Sequence, residues 1–226
     1  MRVLIFAALA AAATFAQARL PDPYVPLRAR DYDAAIDAFV QTIQASPDKP
    51  NLRKDLAYTY LKIGEPVLAR DQFAEAIRLD ASDTTAALEY AFLCYETQKQ
   101  AEARRVFDRL RKSAGSPARE TAETAFHNID DPLAAGITRW QAAIAAGADT
   151  FSTHFELAQL AEQRDETALA GTHYERAWRI LPDRRTVLVD LGRVWKAAGR
   201  IDDANAALLA ASRGGEPRAA EMAREL

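Results

Sequence analysis

Residues 50–83 read PNLRKDLAYTYLKIGEPVLARDQFAEAIRLDASD, and the fold is decided there. Two amphipathic segments flank Gly64-Glu65-Pro66. In the first, Leu52, Leu56, Tyr60 and Ile63 recur at helical spacing; in the second, Ala69, Phe73, Ala76 and Ile77 do the same. Gly64 suits the end of one helix, and Pro66 the first turn of the next. The stretch predicts a helical hairpin.

The same unit recurs along the chain. Phe73 has counterparts at Phe39, Phe107, Trp140, Tyr174 and Leu208, in steps of 34, 34, 33, 34 and 34 residues. Four residues before each lies a small one: Ala35, Ala69, Ala103, Gly136, Ala170 and Ala204. Three residues after come Thr42, Ala76, Leu110, Ala143, Ala177 and Ala211. This small/aromatic/small pattern resembles the tetratricopeptide repeat, a 34-residue helix–turn–helix. The resemblance covers nearly all of the chain beyond residue 30. It implies an all-α fold, a right-handed α-α superhelical solenoid of tetratricopeptide hairpins.

Composition agrees with a packed fold. The 226 residues are 49% hydrophobic and 27% charged, enough apolar surface for a large core. A net charge of −3 gives no broad attraction to nucleic acid, so no nucleic-acid partner is expected. The single cysteine, Cys94, has no partner for an intramolecular disulfide and takes a small hydrophobic role on the buried face.

Met1 to Ala18 reads MRVLIFAALAAAATFAQA: a positive start, an apolar run and a small-x-small site at Ala16-Gln17-Ala18. The run is short of the ~20 residues that span a bilayer. The expectation is a cleaved export signal over 1–18, a periplasmic or secreted bacterial location, and no stable membrane insertion afterwards. Residues 19–30 form a lead-in whose Pro21, Pro23 and Pro26 oppose a regular helix. The array is expected over 31–218, as a half-repeat at 31–49 and repeats at 50–83, 84–117, 118–150, 151–184 and 185–218. Residues 219–226 begin a capping helix. The fourth repeat is read as two helices, Ala118 to Ile129 and Pro132 to Ala146, around a tight turn at Asn128–Pro132.

Catalytic chemistry has little to rest on. His127, His154 and His173 make no metal-ligand spacing with each other or with Cys94 and read as ordinary surface or turn residues. Asp130-Asp131 and Asp202-Asp203 lie where helices open and carboxylates suit the dipole. No nucleophile–base pair or phosphate-cradling glycine loop is visible. The expectation is a non-enzyme with no cofactor and no metal. Arg104, Arg105, Arg109, Arg111 and Lys112 form a basic run, read as a solvated face with contact to an acidic partner or lipid as the alternative.

The first helices carry a second apolar stripe. Beyond the buried set Ala87, Tyr90, Ala91 and Cys94, residues Leu88, Phe92 and Tyr95 share another face. One repeat earlier the same places hold Lys54, Tyr58 and Leu61; farther along the face turns polar with Gln159, Glu162, Arg193 and Lys196. The resemblance implies that this face lines a concave groove taking a partner's peptide or helix. A carboxylate clamp of recurring Lys and Asn is not expected, because Tyr58 and Phe92 stand where Asn is needed. The leading expectation is a protein–protein interaction module binding another protein or peptide. The alternative is a scaffold subunit of a cell-envelope assembly or polysaccharide export machine.

Overall fold

The computed structural model describes residues 20–213 and 215–226, and the regular structure among them is all helical. The helices are α1 Tyr24–Arg28, α2 Tyr32–Ala45, α3 Pro50–Lys62, α4 Pro66–Leu79, α5 Thr84–Glu96 and α6 Gln100–Ser113. They continue as α7 Ala118–Ala145, α8 Phe151–Gln163, α9 Thr167–Ile180, α10 Thr186–Ala197, α11 Ile201–Arg213 and α12 Pro217–Arg224. The expected export signal, Met1 to Ala18, lies outside the described residues.

Local chemistry sets the helix starts. Asp31 and Asp83 accept from the backbone N–H groups of Ala34 and Ala86, and Thr150 with Thr153 forms a capping box on α8. Pro50, Pro66 and Pro217 occupy first turns, where no N–H is needed. Each hairpin closes on a residue in the left-handed region: Arg30, Gly64, Gln98, Asp165 and Gly199, with φ between +61° and +79°. The proline-rich lead-in still forms one short helix, α1, with Pro26 in its first turn. Tyr24 of α1 meets the Phe39 ring edge-on at 5.5 Å, so the first hairpin is truncated rather than halved.

The fourth repeat departs from the sequence reading. Ala118 to Ala145 is one unbroken helix of 28 residues with Pro132 inside it, and no turn exists at Asn128–Pro132. Two features of the sequence account for this. Counted from the preceding hairpin, the left-handed turn slot falls on Pro132, whose ring holds φ near −65° and cannot close a turn there. In the other first helices the residues facing the hairpin partner are apolar, such as Leu56 and Tyr60, or Leu157 and Ala161. In α7 the same places hold Thr124 and Asn128, both exposed. Without apolar surface to close on, the two halves extend into one helix. Asn128 and Pro132 face solvent, so the carbonyl that proline leaves unbonded can be hydrated.

The consequence is a divided core. Upstream, Phe39, Phe73 and Phe107 centre a series of clusters that ends at Ala122, Phe126 and Ile129 on the first half of α7. Downstream, one larger cluster runs from Ile137 on the second half of α7 through Tyr174 and Val187–Leu191 to Ala219 on α12. Between them lies a polar joint. Asp130, 7% exposed, accepts from Arg104 Nε at 2.5 Å and from Arg164 Nε at 3.1 Å. Asp165 in the α8–α9 turn accepts from Arg105 at 2.8 Å and Arg104 at 3.3 Å. Repeat three and repeat five therefore touch directly.

The close helix crossings occur at the small residues. Ala35, Ala57, Ala69, Ala91, Ala103, Ala158 and Ala170 are all fully buried. A Cβ on Gly192 would lie 2.8 Å from Leu208 Cγ and 3.3 Å from the Ala204 carbonyl of its own hairpin. At Gly136 the neighbour is instead Leu160 of α8, at 2.7 Å. The small position of the fourth repeat thus packs on the next hairpin, having no hairpin partner of its own.

Candidate partner-binding face

The ten residues singled out on the first helices fall into two sets on either side of α7. Upstream, Lys54 is tied to Asp83 across 2.6 Å, and the Tyr58 hydroxyl donates to Glu89 Oε1 at 3.2 Å. These contacts, with Tyr24 donating to Asp55 at 2.6 Å, bridge successive first helices. Burial, with Glu89 beside it, pushes the Tyr58 hydroxyl up to about 12. Leu61 and Leu88 are half-buried and pack into the core clusters, so part of the second stripe is core.

Phe92 and Tyr95 stay open, 46% and 53% exposed. Tyr24, Tyr58 and Phe92 share one repeat position, and Phe92 is the member without a hydroxyl. The carboxylate one repeat on, Glu123, goes to His127 at 2.9 Å and Arg111 at 3.5 Å instead. Phe92 leans edge-on against buried Phe107 at 5.0 Å. Together with Tyr95, Ala125, Asn128 and Ile129 these rings line an apolar depression of about 160 Å³. Tyr58 opens on a different one, a cleft of about 570 Å³ bordered by Leu27, Arg28, Arg30 and Lys62. The upstream aromatics therefore serve two depressions rather than one patch.

Downstream the same repeat positions are occupied from within. Arg193 pairs with Glu162 and donates to Asp190 at 2.7 Å. The Tyr174 hydroxyl donates to Glu162 Oε2 at 2.9 Å. Lys196 donates to the Leu226 carbonyl at 2.6 Å, and Gln159 is half-buried.

Two other readings change. The basic run on α6 is not simply a solvated face: the Arg104 side chain is 13% exposed and tied into the joint, and Arg111 lies 4.1 Å from the Phe126 ring centre. His154 and His173 are not ordinary surface residues. His154 is 5% exposed, and its Nδ1 lies 2.7 Å from His173 Nδ1. The hairpin register carried the signal, since Arg53 donates to Gln72 across the same 19-residue separation. His127 is exposed as expected and held up by Asp131 and Glu123.

A family model described as tetratricopeptide repeat matches residues 27–84 and 54–117, from the end of α1 to just before α7. No curated protein matches the chain. Among solved structures, the P58(IPK) TPR domain is 16% identical over 90% of this chain and 62% of that one, at a TM-score of 0.47. The first TPR of Spaghetti (RPAP3) bound to the HSP90 peptide SRMEEVD is 24% identical over 50% and 87%, at 0.41. YrrB, described as a TPR protein with an unusual peptide-binding site, is 14% identical over 84% and 100%, at 0.37. Likeness at this level is one of hairpin architecture.

Proposed function

On the footing that residues 27–117 are tetratricopeptide repeats, we propose that this chain is a non-enzymatic protein-interaction module. It takes a partner's peptide or helix on the first-helix face of the upstream array, with Phe92 and Tyr95 as anchors. One observation carries the reading: these two rings stay 46% and 53% exposed around an apolar depression, while Glu162, Arg193 and Lys196 at equivalent downstream places are paired internally. An exposed aromatic cluster beside a dent of side-chain size is the usual form of a binding hot spot. The pattern of Met1 to Ala18 supports a partner outside the cytoplasm, and the alternative is a scaffold subunit of an envelope assembly, in which the convex surface matters as much. Among the described residues no helix is long and apolar enough to cross a membrane.

The test begins with peptides selected from a displayed library on the full chain. Phe92→Ala should weaken their capture about thirtyfold, corresponding to roughly 2 kcal/mol for an aromatic anchor. Its urea midpoint should move little. Unchanged affinity, or unfolding as early as Phe107→Ala, would remove the face from consideration. Intact mass of chain isolated from its native host should start at Arg19; a soluble cytoplasmic product retaining Met1 would refute the export reading.

A further inference from the structure

The α8–α9 hairpin carries an ionisable pair at a place where its neighbours carry apolar ones. Residues 19 apart hold this place in each hairpin: Arg53 with Gln72 in α3–α4, Ala87 with Val106 in α5–α6, Leu188 with Ala207 in α10–α11, and His154 with His173 here. Val106, Leu188 and Ala207 are buried, as is His154. The imidazole rings stack at 5.0 Å, 22° from parallel, with their Nδ1 atoms 2.7 Å apart. His154 Nε2 meets Asp149 Oδ1 at 2.8 Å. A carboxylate only accepts, so the His154 proton sits on Nε2 and its Nδ1 is a bare acceptor. His173 must then donate from its own Nδ1. The bond between the helices consists of one proton.

We propose that this pair is a one-proton latch, closing α8 on α9 while a single proton lies between the two Nδ1 atoms and releasing them when acid puts a proton on each. This goes beyond the binding reading and does not depend on it. The first added proton goes to His173 Nε2, and the latch survives as a charged hydrogen bond. The second puts an N–H on both facing Nδ1 atoms, so that two positive rings meet at hydrogen-bond distance, whichever ring carried the first charge. The surroundings support one cation, not two. Asp149 faces the pair from the α7–α8 turn but already accepts from Arg176 at 3.0 Å. From α9 come Glu175 and Arg179, paired with each other, and α7 lends the apolar Ile144 to the same cleft of about 520 Å³.

The sign follows from the same geometry. Burial, and then the His154 charge, push His173 below its ordinary value of 6.5. A base depressed in the fold gives its full stability above that value and loses it as pH falls below. Two other groups oppose this over the acid range. Exposed His127 is raised by its carboxylates, and burial pushes Asp190 up to about 6, so both favour the fold as pH falls. The whole-protein pH profile therefore mixes signs, and the readout must be local.

Imidazole NMR on the full chain should show His127 titrating in one step and the His154–His173 pair in two, split by more than about one pH unit. Amide exchange, corrected for its intrinsic pH dependence, should show α8 and α9 losing about tenfold more protection than α10 and α11 between about pH 7.5 and pH 5. His154→Leu with His173→Ala, the pair found in α10–α11, should abolish that excess loss. His173→Gln, which keeps a donor for His154 but accepts no proton, should do the same and serves if the double variant does not fold. One-step titration of both histidines at ordinary values, or equal acid loss in wild type and His173→Gln, overturns the latch.

Discussion

The two arrays on either side of α7 use one repeat frame for opposite ends. Upstream, the first-helix face shows Tyr58, Phe92 and Tyr95 to solvent; downstream, the same positions hold Gln159, Arg193, Glu162 and Lys196, largely committed to Asp190, Tyr174 and the chain's own Leu226 carbonyl. The buried columns are alike on both sides, from Phe73 and Phe107 to Tyr174. What separates a surface open for binding from one that satisfies itself is thus a few residues outside the repeat signature. The frame specifies packing, and the remaining positions are free to specify use.

The largest effects should show whether the two cores are separate. Phe107→Ala and Tyr174→Ala each remove a ring buried to 1% exposure, and each should cost about 3–5 kcal/mol. Amide exchange should find the first loss in α5 and α6 and the second in α8 to α10. Loosening of the whole chain by either variant would mean a single core and dissolve the comparison.

Next comes the joint. Asp130→Ala leaves Arg104 and Arg164 facing each other without their carboxylate, the costly way to break a buried ion pair. The loss should be about 3 kcal/mol, toward the lower end of the range because Arg164 keeps 22% exposure. Urea unfolding of this variant should split into two steps. A single unshifted transition would show that the arrays are coupled by α7 alone. Arg104→Leu should cost about 2 kcal/mol, not the few tenths typical of a solvated arginine.

The glycines give the finest contrast. Gly192→Ala drives a methyl against Leu208 and the Ala204 carbonyl inside a closed hairpin, and should cost about 1–3 kcal/mol. At Gly136→Ala the obstacle is the end of the flexible Leu160 side chain. Helix propensity returns up to about 1 kcal/mol there, so calorimetry should find the change near neutral.

The hairpin architecture was legible because its signals are repeated. Ala69, Phe73 and Ala76 recur with the period of the repeat, and helix packing demands small and large residues at those places. The fused fourth repeat was missed because that pattern follows second helices, and Gly136, Trp140 and Ala143 keep it. The contrary evidence sat in the first helix, in Thr124 and Asn128, and in a proline at the turn slot. On the candidate face, the exposure of Phe92 and Tyr95 agrees with their spacing. The ties of Lys54, Glu162 and Arg193 could not be read, since each depends on which residue the next repeat offers. His154 and His173 became legible only once the register across a hairpin was known.

The polar outer side of the first half of α7 has a consequence for the order in which the chain folds. Arg119, Glu120, Thr121, Thr124, His127, Asn128 and Asp131 are all exposed, while Ala122 and Phe126 seal the upstream core from beneath. Terminal elements of repeat arrays have this composition, because nothing stacks beyond them. Once residue 131 has emerged where the chain folds, the upstream array holds its own lid and can fold before the downstream half follows. The emerging chain is thereby spared a long interval with Phe107 and Leu110 bared to its neighbours. Asp130 then waits as a half-made contact until Arg164 arrives, and the second array docks onto a finished first.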